Sequence, residues 1–203
     1  MQDRELPIII QGGMGAAVSN WRLANAVSSF GQLGVVSGTA IDLVLTRRLQ
    51  LGDPDGECRR ALAAFPYPEV AARIIDAYYV PGGKAPDKPF KNVPMHSYEG
   101  SRRLHELTVA ANFAEVYLAR EGHENPVGIN YLEKIQLPHL PSIYGAMLAG
   151  VDYVIMGAGI PIEIPGVLDA FVDHAPASYT LRVSGAKQGE SYKLHFDPRA
   201  LFA

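Results

Sequence analysis

The stretch Ile8-Ile9-Ile10-Gln11-Gly12-Gly13-Met14-Gly15 constrains the fold more than any other part of the chain. Three β-branched apolar residues in a row predict a buried strand. The glycines that follow let backbone N–H groups approach a flat or anionic partner with no Cβ in the way. The same construction recurs at Leu33-Gly34-Val35-Val36-Ser37-Gly38-Thr39. Between the two, Leu23, Ala26, Val27 and Phe30 fall at helical spacing; Asn20 or Ser19 can cap that helix and Gly31 can end it. The sum is a βαβ unit whose strands both end in small residues. In parallel α/β proteins, ligands bind at that end of the strands.

The pattern returns in the second half of the chain. Pro126-Val127-Gly128-Ile129-Asn130-Tyr131-Leu132-Glu133-Lys134 reads as a third strand with polar residues at its end, followed by a helix over 138–150. Val151-Asp152-Tyr153-Val154-Ile155-Met156 is a fourth, apolar enough for a strand buried on both faces, and it runs into Gly157-Ala158-Gly159-Ile160-Pro161. A further helix spans about 164–174. The long insertion at about 53–125 separates the two halves. A helix opened by Ile41-Asp42-Leu43-Val44-Leu45 precedes it, and it holds a turn at Asp53-Pro54-Asp55-Gly56, helical stretches over 58–65 and 69–79, and a helix over 101–121 ended by Gly122. Residues 80–98, rich in Pro and Gly, form a long irregular loop of the kind that is functional or mobile. The tail, about 177–197, alternates apolar and polar residues on either side of Ala186-Lys187-Gln188-Gly189-Glu190 and reads as a β-hairpin exposed on one face.

Composition narrows the class. The chain of 203 residues is 48% hydrophobic and 19% charged, enough for one ordinary core, and its net charge of −3 leaves no electrostatic footprint for nucleic acid or an anionic membrane. The longest apolar run, 151–161, is too short to span a bilayer. Met1-Gln2-Asp3-Arg4-Glu5 is charged with no apolar segment after it, so no secretory leader is expected. A single cysteine, Cys58, forbids an internal disulfide and fits a reducing, cytoplasmic setting; with no basic partner at a recognisable spacing it reads as a small buried residue. Gly82-Gly83-Lys84 lacks the spacing and preceding strand of a phosphate loop, and Lys84, Lys88 and Lys91 read as solvated. Gly157-Ala158-Gly159 lacks the third glycine and the later acid of a dinucleotide-binding strand.

Gln11-Gly12-Gly13-Met14-Gly15, Val18-Ser19-Asn20-Trp21-Arg22-Leu23-Ala24 and Leu33-Gly34-Val35-Val36-Ser37-Gly38 resemble the N-terminus of the nitronate monooxygenase (2-nitropropane dioxygenase) family, with flavin-dependent enoyl-ACP reductases as similar relatives. The resemblance returns over about 126–166 and is weak between. It implies an α/β fold, an FMN-binding (β/α)8 TIM barrel. Of that barrel this chain supplies about the N-terminal half, four βα units, plus the hairpin. A full barrel takes about 250 residues. A half barrel exposes two apolar sheet edges that must be covered. The expected partner is therefore a second polypeptide, a missing C-terminal half, or another copy of the chain.

The resemblance also assigns the site. An Asn at the third strand end contacts the flavin in that family, and Val127-Gly128-Ile129-Asn130 carries the role onto Asn130. Gln11, Gly12, Gly13 and Met14 are expected to line one face of the isoalloxazine, with the soft Met14 side chain on the ring. Ser37, Gly38 and Gly157 are carried over from the other strand ends, and Lys134 or Tyr131 is expected at the mouth beside a solvated Glu133–Lys134 pair. The implied activity is oxidation of an alkyl nitronate at the flavin with O₂; an enoyl-thioester reductase, or a non-catalytic half-barrel subunit, are the alternatives. The family's catalytic His has no match here, since His96, His105, His123, His139, His174 and His195 lie outside its motif and read as surface or structural. No catalytic residue is assigned.

Overall fold

Three parallel strands carry the sheet of this computed structural model, which describes residues 6–187 and 189–202. The charged opening, residues 1–5, and Gln188 in the hairpin's connection lie outside the described residues. Helix α1 (Trp21–Ser29) starts where the sequence predicts: the Asn20 side chain accepts from the backbone N–H groups of Arg22 and Leu23. It packs so closely on β1 (Gly34–Ser37) that a Cβ on Gly34 would sit 2.0 Å from the Ala24 carbonyl oxygen. Ser28 at its end accepts from Gly34 N–H and donates to the Pro126 carbonyl, tying helix, first strand and approach to the next into one corner.

Four helices separate β1 from its neighbour: α2 (Ile41–Gln50), α3 (Glu57–Ala63), α4 (Pro68–Tyr78) and α5 (Arg102–Arg120). The last is buried almost all round, as a helix surrounded by other elements must be, and α1, α2, α3, α4 and α6 (His139–Leu148) pack on it. β2 (Val127–Leu132) and β3 (Tyr153–Gly157) complete the sheet in the order β1-β2-β3, with Ser37 opposite Asn130 and Asn130 opposite Ile155. Because side chains alternate across a strand, Val36, Val127, Ile129, Tyr131, Val154 and Met156 face the helical layer, and all six pack in its core. Ser37, Asn130, Ile155 and Gly157 stand on the opposite face.

After α7 (Ile164–Val172), the hairpin of β4 (Ala177–Leu181) and β5 (Tyr192–Phe196) forms as predicted, antiparallel and separate from the main sheet. It buries Ala177, Tyr179, Leu194 and Phe196 and exposes the residues between. A ring cluster locks it and the short α8 (Pro198–Leu201) onto the helices: Phe196 meets Tyr144 and Phe171, and Phe202 stacks on Tyr67 with centroids 3.7 Å apart.

Two sequence expectations change here. Residues 8–10 run beside β1 but join it by a single bridge, Ile10 to Leu33, and Ile8 is 91% exposed. β3, expected to be buried on both faces, is half-exposed. The reason is common to both: each occupies an outer margin of the sheet, and a β-branched run is buried only where a neighbour covers it. No helix among the described residues is long and apolar enough to cross a membrane.

Candidate functional site at the strand tips

The loop that follows Ile10 is organised by its own polar side chains. Gln11 N–H donates to the Leu33 carbonyl, its Oε1 accepts from Val35 N–H at 3.1 Å, and its Nε2 bonds the Gly12 carbonyl and the Ser19 hydroxyl. Ser19 is the hub: its hydroxyl donates to the Gly12 carbonyl and accepts from Met14 N–H, each at 3.0 Å, while its carbonyl accepts from Ser37 N–H at 2.8 Å. Gly13 lies flat against β1. A Cβ there would come within 2.6 Å of the Val36 carbonyl oxygen, so no other residue fits without displacing backbone.

This places the Gly13 carbonyl in reach of β2. Asn130 Nδ2 donates to it at 2.8 Å across 117 positions of sequence, with Met14 Sδ 3.7 Å from the same nitrogen. Asn130 is 8% exposed, and its Oδ1 has no hydrogen-bond partner among the described residues. That oxygen lies 3.4 Å from where a Cβ on Gly157 would stand. Residues from the first loop, β2 and β3 therefore converge on one amide. A buried acceptor without a donor costs about 1–3 kcal/mol, and this one is closed off from the surface. Three alanines in the loops beyond the strand tips, Ala17, Ala40 and Ala158, hold left-handed backbone with φ of 60°, 54° and 61°. Each costs about 1–3 kcal/mol, and such strain gathers at functional sites.

The other expected residues are placed as follows. Gly12 and Met14 are exposed on this face, Met14 at 62%. Ser37 is buried, level with Asn130. Gly38 donates its N–H to the Asn130 carbonyl at 2.7 Å and lies against the Tyr131 ring, where a Cβ would be 2.2 Å from Cδ1. Lys134 is exposed in the turn after β2. The pair expected at the mouth does not form: Glu133 is buried, with Arg182 Nε 3.6 Å and the Tyr179 hydroxyl 3.5 Å from its Oε1, because the hairpin folds over it. Tyr131 also leaves the mouth. Its hydroxyl lies 3.0 Å from Asn112 Oδ1 and 2.9 Å from the Ser142 carbonyl, and burial pushes its pKa well above the usual phenol value. Adjacent residues of a strand face opposite ways, so Asn130 and Tyr131 cannot serve the same face.

Gly38 also borders a cavity of about 260 Å³ between the start of α2 and the loop at 93–96. There His96 Nε2 lies 2.9 Å from Asp42 Oδ2. His96, a surface or structural residue by sequence, gains this partner only in the fold: residues 80–98 are irregular, and nothing in the spacing links position 96 to position 42. Ser19, a possible cap by sequence, is instead the hub of the loop. Of the remaining histidines, His139 Nε2 is bound to the Leu132 carbonyl at 3.0 Å, and burial holds its pKa below the usual value. His174 meets the Tyr144 hydroxyl and His195 the Ser178 hydroxyl. A larger space of about 550 Å³ lies away from the strand tips, between α4 and α5, bordered by Arg73, Lys91, Arg103 and Glu106.

Comparison with protein-family models, with curated proteins and with solved structures returns no match for this chain.

Proposed function

We propose that the chain is part of an FMN-dependent oxidoreductase similar to the nitronate monooxygenases, a flavoprotein that oxidises small alkyl nitronates with O₂. The observation that carries the reading is the meeting of Asn130 with Gly13 and Met14 beside Gly157. A flavin's pyrimidine edge presents an N–H that a carboxamide oxygen can accept, and Asn130 Oδ1 is an acceptor of that kind. The glycines leave room for a flat ring, and the exposed Met14 thioether can lie on it. The flavin would supply the electron transfer; Asn130 and the backbone of Gln11, Gly12 and Gly13 would orient it, with Ser37, Gly38, Gly157 and Lys134 around its rim.

The parallel sheet is read as part of a (β/α)8 barrel with its helices on one face. Exposed Ile8, Ile9 and Ile10 at one margin and Tyr153, Ile160 and Ile162 at the other favour completion by further strands, from a second polypeptide, from more of the same one, or from another copy. The cytoplasm is the proposed setting, in keeping with one buried free thiol.

The visible absorption spectrum of the purified protein, before and after addition of FMN and gel filtration, tests the reading. Retained flavin bands are expected; their absence under both conditions overturns it. Assays with propyl-2-nitronate and O₂, and with a short enoyl thioester and NAD(P)H, then separate the monooxygenase from the reductase.

A further inference from the structure

The backbone proposed to face the flavin is shaped from behind. After Gly15 the chain turns back on itself. Val18 N–H donates to the Gly15 carbonyl at 3.1 Å, Ala17 takes left-handed backbone, and Ser19 N–H donates to the Met14 carbonyl at 3.2 Å. The turn carries the Ser19 side chain back against residues 12–14. Ser19 is 5% exposed, while Gly12, Met14 and residues 15–18 around it are exposed.

A hydroxyl has one proton to donate and two lone pairs that accept. In Ser19 all three are taken. The proton goes to the Gly12 carbonyl and one lone pair accepts from Met14 N–H, each at 3.0 Å; the other accepts from Gln11 Nε2 at 3.3 Å. The hydroxyl therefore has nothing left to offer a ligand. The Gln11 amide is turned inward in the same way: its Oε1 accepts from Val35 N–H at 3.1 Å, and its Nε2 also donates to the Gly12 carbonyl. On the far side, the Ser19 carbonyl accepts from Ser37 N–H at 2.8 Å, and Ser37 pairs with Asn130 in the sheet. One residue thus ties Gly12 and Met14 to the strand that meets β2 at Asn130.

We propose that Ser19 is a positioning residue of this site: it touches no ligand, and its hydroxyl holds the Gly12 carbonyl and the Met14 N–H in the arrangement that presents the loop backbone and the Met14 thioether to the flavin. The role toward the ligand rests on the flavin reading; the hold on the loop belongs to the chain itself. A loop already fixed in its bound shape need not be ordered when the ligand arrives, so affinity rises with no added contact. Gly12 and Met14 are themselves exposed, so water can take over the groups that lose Ser19. Removing the hydroxyl is therefore expected to loosen the loop far more than it destabilises the fold.

Two measurements on the purified protein test this. The first needs no flavin: hydrogen exchange of the Met14 amide, followed by NMR. Exchange at least about tenfold slower than that of a solvated amide is expected in the wild type, and close to the solvated rate in Ser19→Ala. The second is titration with FMN, followed by fluorescence quenching and by the methyl signal of Met14. Ser19→Ala is expected to bind at least about tenfold more weakly than the wild type and, once saturated, to show a smaller methyl shift. A residue that only supported the fold would lower the thermal midpoint and leave the saturated methyl shift unchanged. Rapid exchange of Met14 in the wild type, or equal exchange in the two proteins, overturns the proposal whatever the flavin does, and the wild-type value decides should the variant not fold. Equal affinity with an equal methyl shift overturns it as well. If the exchange rates differ as expected but neither protein binds FMN, the flavin reading falls, and with it the role of Ser19 toward that ligand.

Discussion

Gly13 and Asn130 carry the strand-tip site, and the two are constrained differently. Gly13 is fixed by space, since a Cβ would meet the Val36 carbonyl at 2.6 Å. Gly13→Ala is expected to lower stability by about 1–3 kcal/mol, the usual cost of overpacking, read as a fall in the urea midpoint. Cys58 illustrates how burial sets chemistry. Desolvation, reinforced by Asp53 and only partly opposed by Arg48, pushes its thiol up to about 12. The native protein is therefore expected to resist thiol reagents at about pH 8 and to react once unfolded; rapid native labelling would contradict that burial. His105 and His139 are both pushed below 6.5 by burial. Their unfolded forms then bind protons more readily than the folded ones. Stability is complete above about 6.5 and declines as pH falls from there through the folded values. Thermal midpoints measured from about pH 7.5 to about 5.5 check this, and a flat profile would contradict it.

At the scale of elements, the tightest joint is between α5 and α6. A Cβ on Gly145 would stand 2.2 Å from the Val109 carbonyl oxygen, so the helices cross at backbone contact. Gly145→Ala must push them apart, and a loss of about 1–3 kcal/mol is expected by denaturant titration. Helical spacing made α1 and α5 legible in the sequence, with Asn20 as the cap of α1, and alternation made the hairpin so; the structure adds Ser101 as the cap of α5, and the burial of residues 177–181 follows their alternation. Ile8, Ile9 and Ile10 show the limit, because composition identifies a run suited to a strand while burial depends on which neighbour covers it. The Asn130–Gly13 meeting was foreseeable, since successive parallel strand ends share one side of the sheet. The Asp42–His96 pair was not, because a loop without periodicity gives no rule for where its residues land.

For the molecule as a whole, the sheet is the unusual part. Parallel sheets are ordinarily covered on both faces, yet this one packs its core-facing residues on helices from one side and leaves apolar side chains exposed at both margins. Sedimentation velocity across a range of concentrations is expected to show association, and Ile10→Lys or Ile162→Lys to weaken it; a monomer throughout would contradict completion of the sheet by another copy of the chain. The proposal that the glycine-rich strand tips around Asn130 hold a flavin is tested most directly by quenching of FMN fluorescence on titration with protein. Saturable binding by the wild type is expected, with at least about tenfold weaker binding by Asn130→Ala, the size of a lost hydrogen bond of roughly 1.4 kcal/mol. Equal quenching by both proteins, or none by either, would contradict it.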